Sequence, residues 1–309
     1  MNTFLNGVEA MAGATRKVDI IGIQMDLGAS RRGVNMGPLA IRYADICNKM
    51  SELGIQWRDK GDIIPRASGR SKPELKNYEQ VIEANRRLYD QVSDSLKFGA
   101  LPVVLGGDHS VAAGSIPAVA KHYGGIGVIW IDAHGDFNDQ ESTASGNMHG
   151  MPFSAVCGCG PACMMDYGGE TVFVDPGHAV QIAGRDIEAA ERVRMREAGV
   201  TVFSISDVDR LGMPEVMRRA IRIAGTGTAG IHVSFDIDSV TPQEAPGTGT
   251  PVHSGLTVRE AFLAAEMIAE SDRLISLDMV EVNPILDERN KTGNLACELV
   301  LSMLGKSVF

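Results

Sequence analysis

The sequence predicts an α/β fold in which a mainly parallel sheet carries helices on both faces. Three observations predict it. Short apolar runs of strand length alternate with longer amphipathic segments along the whole chain, as repeated strand–helix–strand units require. Each cluster of Asp and His that could do chemistry falls at the carboxyl end of an apolar run, where open parallel sheets collect their ligands. No repeat, low-complexity stretch or long linker divides the chain, so residues 1–309 read as a single domain.

In chain order, residues 18–25 read as a strand. Residues 38–50 read as a helix with Pro38 near its start, a position where its missing N–H has no helical partner to lose. Residues 79–98 read as a long helix with Val81, Ile82, Leu88, Val92 and Leu96 at helical spacing. A strand over 101–105 precedes a helix over 111–123, and 126–131 form the next strand. Strands over 180–183 and 200–205 flank a charged helix, 187–197. A helix over 214–223 leads to a strand over 232–235. Then come a helix over 258–270, a strand over 274–279 and a last helix over 295–304.

The run Ile126 to Ile131 ends in Asp132-Ala133-His134-Gly135-Asp136-Phe137-Asn138. Strand side chains alternate faces, so Asp132, His134 and Asp136 point the same way. Carboxylates gathered at a buried strand end are expensive to desolvate unless a cation sits between them. Asp236 and Asp238 repeat the pattern after Ile231-His232-Val233-Ser234-Phe235, and His109 follows a third apolar run in Gly106-Gly107-Asp108-His109-Ser110. Two imidazoles and four carboxylates exceed the roughly four ligands of one tetrahedral zinc. They suit two divalent ions sharing carboxylates and activating a water between them. The donors are hard and free of thiolate, which favours manganese over zinc.

Composition narrows the rest. Apolar residues make up 44% and charged residues 22% of the 309, ordinary for a globular enzyme. The net charge of −10 argues against nucleic acid as a partner. No apolar run approaches the roughly 20 residues that span a bilayer, so no membrane role is expected. The opening Met1-Asn2-Thr3-Phe4-Leu5-Asn6 lacks the pattern of a secretory signal. The five cysteines, an odd number, fit a reducing cytoplasm. Cys157, Cys159 and Cys163 match no zinc or iron–sulfur spacing and read as free thiols in a loop.

Three polar loops, 138–150, 158–169 and 239–255, are long enough to expect function. The Gly225-Thr226-Gly227-Thr228-Ala229-Gly230 run has dinucleotide-type glycine spacing. It follows a helix and precedes a strand, the reverse of what that motif needs, so it reads as a helix-ending turn. His122, His178, His232 and His253 stand outside the constellation and read as surface or core histidines.

Together, Gly106–Ser110, Asp132–Asp136 and Ser234–Asp238 resemble, in order, the three metal signatures of the ureohydrolase family, and the likeness runs over nearly the whole chain. Within the family, Arg31-Arg32-Gly33-Val34-Asn35-Met36-Gly37-Pro38, the loop Asn138 to Gly150 and Glu281-Val282-Asn283-Pro284 resemble arginases more than agmatinases. The resemblance implies a three-layer α/β/α fold, two manganese ions per subunit, a homotrimer or homohexamer, and hydrolysis of arginine to ornithine and urea. It implies His109, Asp132, Asp136 and Asp236 at one ion and Asp132, His134, Asp236 and Asp238 at the other, with Asp132 and Asp236 bridging. It places Asn138, Ser145, Glu188, Glu191 and Thr250 around the substrate or its waters. A mononuclear zinc deacetylase of similar fold would show adjacent histidines, and the chain has no His-His pair.

Two positions depart from the family pattern. Glu188 and Thr241 stand where the family usually has aspartates, which keeps another guanidino compound (agmatine, a guanidino acid or N-hydroxyarginine) as the alternative substrate. A guanidinium is a resonance-stabilised cation, so its carbon needs a strong nucleophile. Asp136 is expected to orient that nucleophile and Glu281 to pair with the guanidinium nitrogens. His149 is expected to hand a proton to the leaving amine, because imidazole titrates near neutral pH.

Overall fold

The computed structural model describes residues 17–167 and 171–307. The opening stretch from Met1 to Asn6, and residues 168–169 of the loop expected over 158–169, lie outside the described residues. Eight strands form one sheet: β1 (Lys17–Ile23), β2 (Gln56–Ile63), β3 (Leu101–Leu105), β4 (Gly127–Ile131), β5 (Ala179–Gly184), β6 (Thr201–Ser204), β7 (Ile231–Asp236) and β8 (Leu274–Val280). Their order is β2-β1-β3-β8-β7-β4-β5-β6, and every pairing is parallel. The predicted α/β/α class holds.

Pleating divides the core. Ile129 and Ile131 of β4 face one apolar layer with Ile41, Phe235, Leu277 and Val300. Val128 and Trp130 face the other, with Val81, Leu88 and Ile116. Helices Gly37–Tyr43, Met213–Gly225, Val258–Glu270 and Lys291–Met303 cover the first face. Tyr78–Lys97 and Ala112–Tyr123 cover the second. The consecutive strands β3 and β4 lie apart, with β8 and β7 between them. The loops leaving these four central strands therefore converge above the middle of the sheet.

Three local expectations are corrected. The helix expected over 38–50 is two helices, Gly37–Tyr43 and Ile46–Glu52, broken at Asp45, whose φ is 68°. Strand β2 was not expected because its sequence, QWRDKGDI, is polar. As an edge strand it shows charge to solvent and is held by Arg58 on Asp19 and Arg42 on Asp59, a usual way of blunting an edge. The strand expected over 200–205 stops at Ser204, whose hydroxyl accepts from Asp207 N and caps a short helix, Ile205–Leu211. The 225–230 run does end a helix, at Gly225.

Candidate metal centre and substrate cleft

The turn after β3 sets the first ligand. A side chain at Gly107 would put its Cβ 2.1 Å from the Met25 carbonyl oxygen, so only glycine lets this turn approach the loop after β1 so closely. Asp108 then accepts from Gly28 N at 2.8 Å and from Ser110 N at 3.1 Å, and His109 enters the site fully buried. Its Nε2 faces Ser234 Oγ at 2.9 Å, which leaves Nδ1 for the cluster. That nitrogen lies 2.9 Å from Asp132 Oδ2, 3.2 Å from Asp136 Oδ2 and 3.2 Å from Asp236 Oδ2. The ring stacks on Trp130, and the indole Nε1 donates to Asp132 Oδ2 at 2.9 Å.

The remaining ligands form an adjoining group. His134 Nδ1 lies 3.4 Å from Asp132 Oδ1 and 3.0 Å from Asp238 Oδ2. Two sets, His109 with Asp132 and Asp236, and Asp132 with His134 and Asp238, each place their donor atoms within 4.8 Å of one another. Asp132 gives one oxygen to each set. Asp236 belongs to the first set, and its Oδ1 accepts from Asp238 N at 2.8 Å. Asp136 touches His109 and belongs to neither set.

The electrostatics ask for cations. Among the described residues no Lys or Arg forms an ion pair with the carboxylate of Asp132, Asp136, Asp236 or Asp238; the nearby Arg185 donates instead to the Asp238 carbonyl oxygen at 2.7 Å. Burial and the nearby Asp132 push Asp136 up to about 6. Burial, then Asp238 and Asp132, drive Asp236 well above the carboxylate range. Burial resists ionisation of Asp132 too, but the two imidazoles outweigh it and hold Asp132 far below that range. Burial opposes charge on both imidazoles and the carboxylates overcome it, holding both well above their ordinary value. A buried set with more carboxylates than imidazoles, competing for protons, fits two divalent ions.

A cleft of about 150 Å³ opens beside the set, lined by His134, Asp136, Asn138, Ser145, Glu188 and Thr250 among others. It adjoins a wider mouth of about 420 Å³ that His149 and Glu281 line. Glu281 follows β8, is 1% exposed and has φ 64°. A non-glycine residue in that left-handed region is strained, and Asp136, at φ 48°, shares the strain. Glu281 Oε1 accepts from His109 N at 3.0 Å and lies 3.0 Å from His149 Nδ1. Its Oε2 is buried without a partner. Burial opposes the charge of His149, but Glu281 and then Asp136 raise it to about 9.

The expected substrate residues divide. Asn138 Nδ2 donates to Glu188 Oε2 at 3.3 Å, and Thr250 Oγ1 donates to Asp238 Oδ2 at 3.1 Å. Ser145 lines the cleft and accepts from Asn147 N. Glu191 is committed to the backbone: its two oxygens accept from Phe137 N and Glu188 N, each at 2.9 Å. Asp186, Asn147 and Arg31 also line the cleft or its mouth and were not singled out from sequence. The spacing Asp186-x-Glu188 was the available signal for the first, and Ser145-Gly146-Asn147 for the second. A larger cavity, about 570 Å³, lies away from these ligands beside Arg192, Met195 and Val202.

The sequence model of the Arginase family matches residues 16–305. This chain belongs to the arginase family. It is 44% identical to the arginase of Bacillus caldovelox over 297 residues, 95% of this chain and 99% of that one. It is 42% identical to the arginase of Bacillus subtilis over 294 residues, 95% and 99% of the two chains. The Bacillus caldovelox arginase structure superposes with a TM-score of 0.92, covering 96% of this chain and 100% of that chain at 44% identity. An Entamoeba histolytica arginase solved with L-ornithine gives 0.86 at 29% identity, covering 94% and 99%.

Proposed function

We propose that this protein hydrolyses L-arginine to L-ornithine and urea with two manganese ions per subunit. His109, Asp132 and Asp236 would hold one ion with help from Asp136, and Asp132, His134, Asp238 and Asp236 the other. The observation that carries the substrate class is the buried, unpartnered Oε2 of Glu281 at the mouth of the cleft, a charged acceptor left free for an N–H of a guanidinium. The relatives named arginase support arginine within that class.

When bound, two ions would supply Lewis acidity, which lowers the pKa of water toward neutrality. The protein does the rest. Glu281 holds the guanidinium carbon in line for attack and keeps its planar cation oriented. The buried Asp136 carboxylate accepts a hydrogen bond from the attacking water. His149 is charged through Glu281 on its Nδ1 side, so its Nε2–H is available to protonate the leaving amine. Asn138, Ser145 and Thr250 surround the amino-acid end of the substrate. Glu188 reaches Asn138, and its longer carboxylate supports a second reading, in which another guanidino compound is preferred.

Under the same proposal the whole chain acts as one domain, assembles as a homotrimer or homohexamer and works in the cytoplasm. Five free cysteines are consistent with that compartment, and no described helix is long and apolar enough to cross a membrane. Urea release from arginine, agmatine, guanidino acids and N-hydroxyarginine tests the substrate. Fast turnover of arginine is expected, and negligible turnover of arginine beside fast turnover of another would reject it.

A further inference from the structure

Strand β5 carries one buried polar side chain, Gln181, 0% exposed. It pairs in register with Trp130, next to the strand end that delivers the ligands. Its Nε2 donates to the carbonyl oxygens of both Asp132, at 2.9 Å, and His134, at 3.1 Å. Both partners are acceptors, so the amide orientation follows from the network. The Oε1 is buried with no partner.

This arrangement has a backbone cause. Asp132 N donates to Ile182 O at 3.0 Å, in ordinary parallel ladder fashion. The next donor along β5 would be the N–H of Gly184. Before it can pair, β5 turns at Ala183, whose φ is 74°, and its register with β6 shifts between Ile182 and Gly184. Among the described residues no backbone N–H donates to Asp132 O. The N–H groups of Arg185 and Asp186 go instead to Ala133 O, at 2.8 and 3.0 Å. Gln181 therefore replaces the lost ladder donor on either side of that contact. Gly184 is matched to the amide: a Cβ there would lie 2.7 Å from both Nε2 and Oε1 of Gln181.

We infer that Gln181 is a positioning residue for the metal centre, fixing the backbone of Asp132 and His134 so that the shared carboxylate and the imidazole stay in register with the ligands from β3 and β7. The inference rests on the metal-site reading above. Outer partners of metal ligands set affinity by holding the ligands in place, and losing one weakens binding by about 10- to 100-fold. Gln181 acts on the main chain, so its loss moves two ligands together.

The test is manganese affinity, measured by competition with a chelating indicator on protein stripped of metal. Gln181→Met keeps length and removes both donors. A manganese dissociation constant raised about 10- to 100-fold is expected, with KM for arginine within about twofold and kcat recovered at excess manganese. Ile182→Val, on the opposite face of the same strand, controls for general loosening: it is expected to lower Tm and leave the dissociation constant unchanged. A Gln181→Met protein that binds manganese within twofold of the parent overturns the inference, as does an equal loss of affinity in Ile182→Val. If Gln181→Met does not fold, Gln181→Glu, which keeps the volume and sets an oxygen against the two carbonyls, is read by the same limits. A parent protein that binds no manganese would instead overturn the metal-site reading.

Discussion

Replacing Glu281 by glutamine removes a charge, and with it the ion pair to His149. Glu281→Gln preserves side-chain volume and can keep an oxygen on His109 N, now at 3.0 Å. The unpartnered Oε2 becomes an amide donor facing the donors of a guanidinium. Removing one partner from a buried charge pair costs about 3–5 kcal/mol, and each ~1.4 kcal/mol is a tenfold change in rate. Arginine kcat/KM should therefore fall by between about a hundredfold and a few thousandfold. Manganese content should hold, because Glu281 is outside both ligand sets. The assay is urea release with metal analysis of the same preparation. A fall of less than tenfold, or one reversed by added manganese, would refute the guanidinium role.

Asp132→Ala removes the carboxylate that serves both ligand sets, and is expected to lower manganese binding at both sites and turnover by several orders of magnitude; near-parental metal content and activity would contradict this. Ser234→Ala takes the partner from His109 Nε2 and should weaken manganese binding about tenfold, read by chelator competition. Glu188→Asp should raise arginine kcat/KM relative to longer and shorter guanidines by about fivefold, the worth of one better-placed hydrogen bond at ~1 kcal/mol; a drop for arginine would show that the shorter carboxylate is not what arginine needs here. In the metal-free protein, the folded pKa of His149, about 9, lies above its ordinary 6.5. Its bond to Glu281 thus stabilises fully below about pH 6.5 and is lost as pH rises through 9. His149→Asn should cost about 1.5–3 kcal/mol at pH 6 and little at pH 10, measured by urea unfolding. An equal cost at both would remove the ionic pair from the account.

Much of the centre was legible because each ligand segment stands at the carboxyl end of an apolar strand. The alternation expected of Asp132, His134 and Asp136 is not what gathers them, because β4 ends at Ile131 and the chain turns at Asp136 with φ 48°. Likewise Asp236 closes β7 and Asp238 stands in the turn after it. The three-dimensional meeting of β3, β4 and β7 added what periodicity lacks, for Asp236 engages one ligand set and spends its other oxygen on Asp238 N. Glu191 shows the opposite limit: a carboxylate near the cleft in sequence is occupied by two backbone N–H groups, and no pattern of residue types announces that. Strand β2 was hidden because only its pairing with β1 and its ion pairs make it a strand. The break at Asp45 was hidden because Asp is one of few residues that enter the left-handed region without glycine. Gln181 was invisible for a related reason: its task comes from a missing ladder bond, which exists only in the folded chain.

The central claim is a pair of ions sharing Asp132 beside a guanidinium-binding carboxylate. Manganese titration of the stripped protein, with bound metal and urea release from arginine followed in the same samples, tests it most directly. Two ions per chain, with urea production rising as the second binds, are the predicted result. Full urea production with one ion per chain, or with none, would contradict the account.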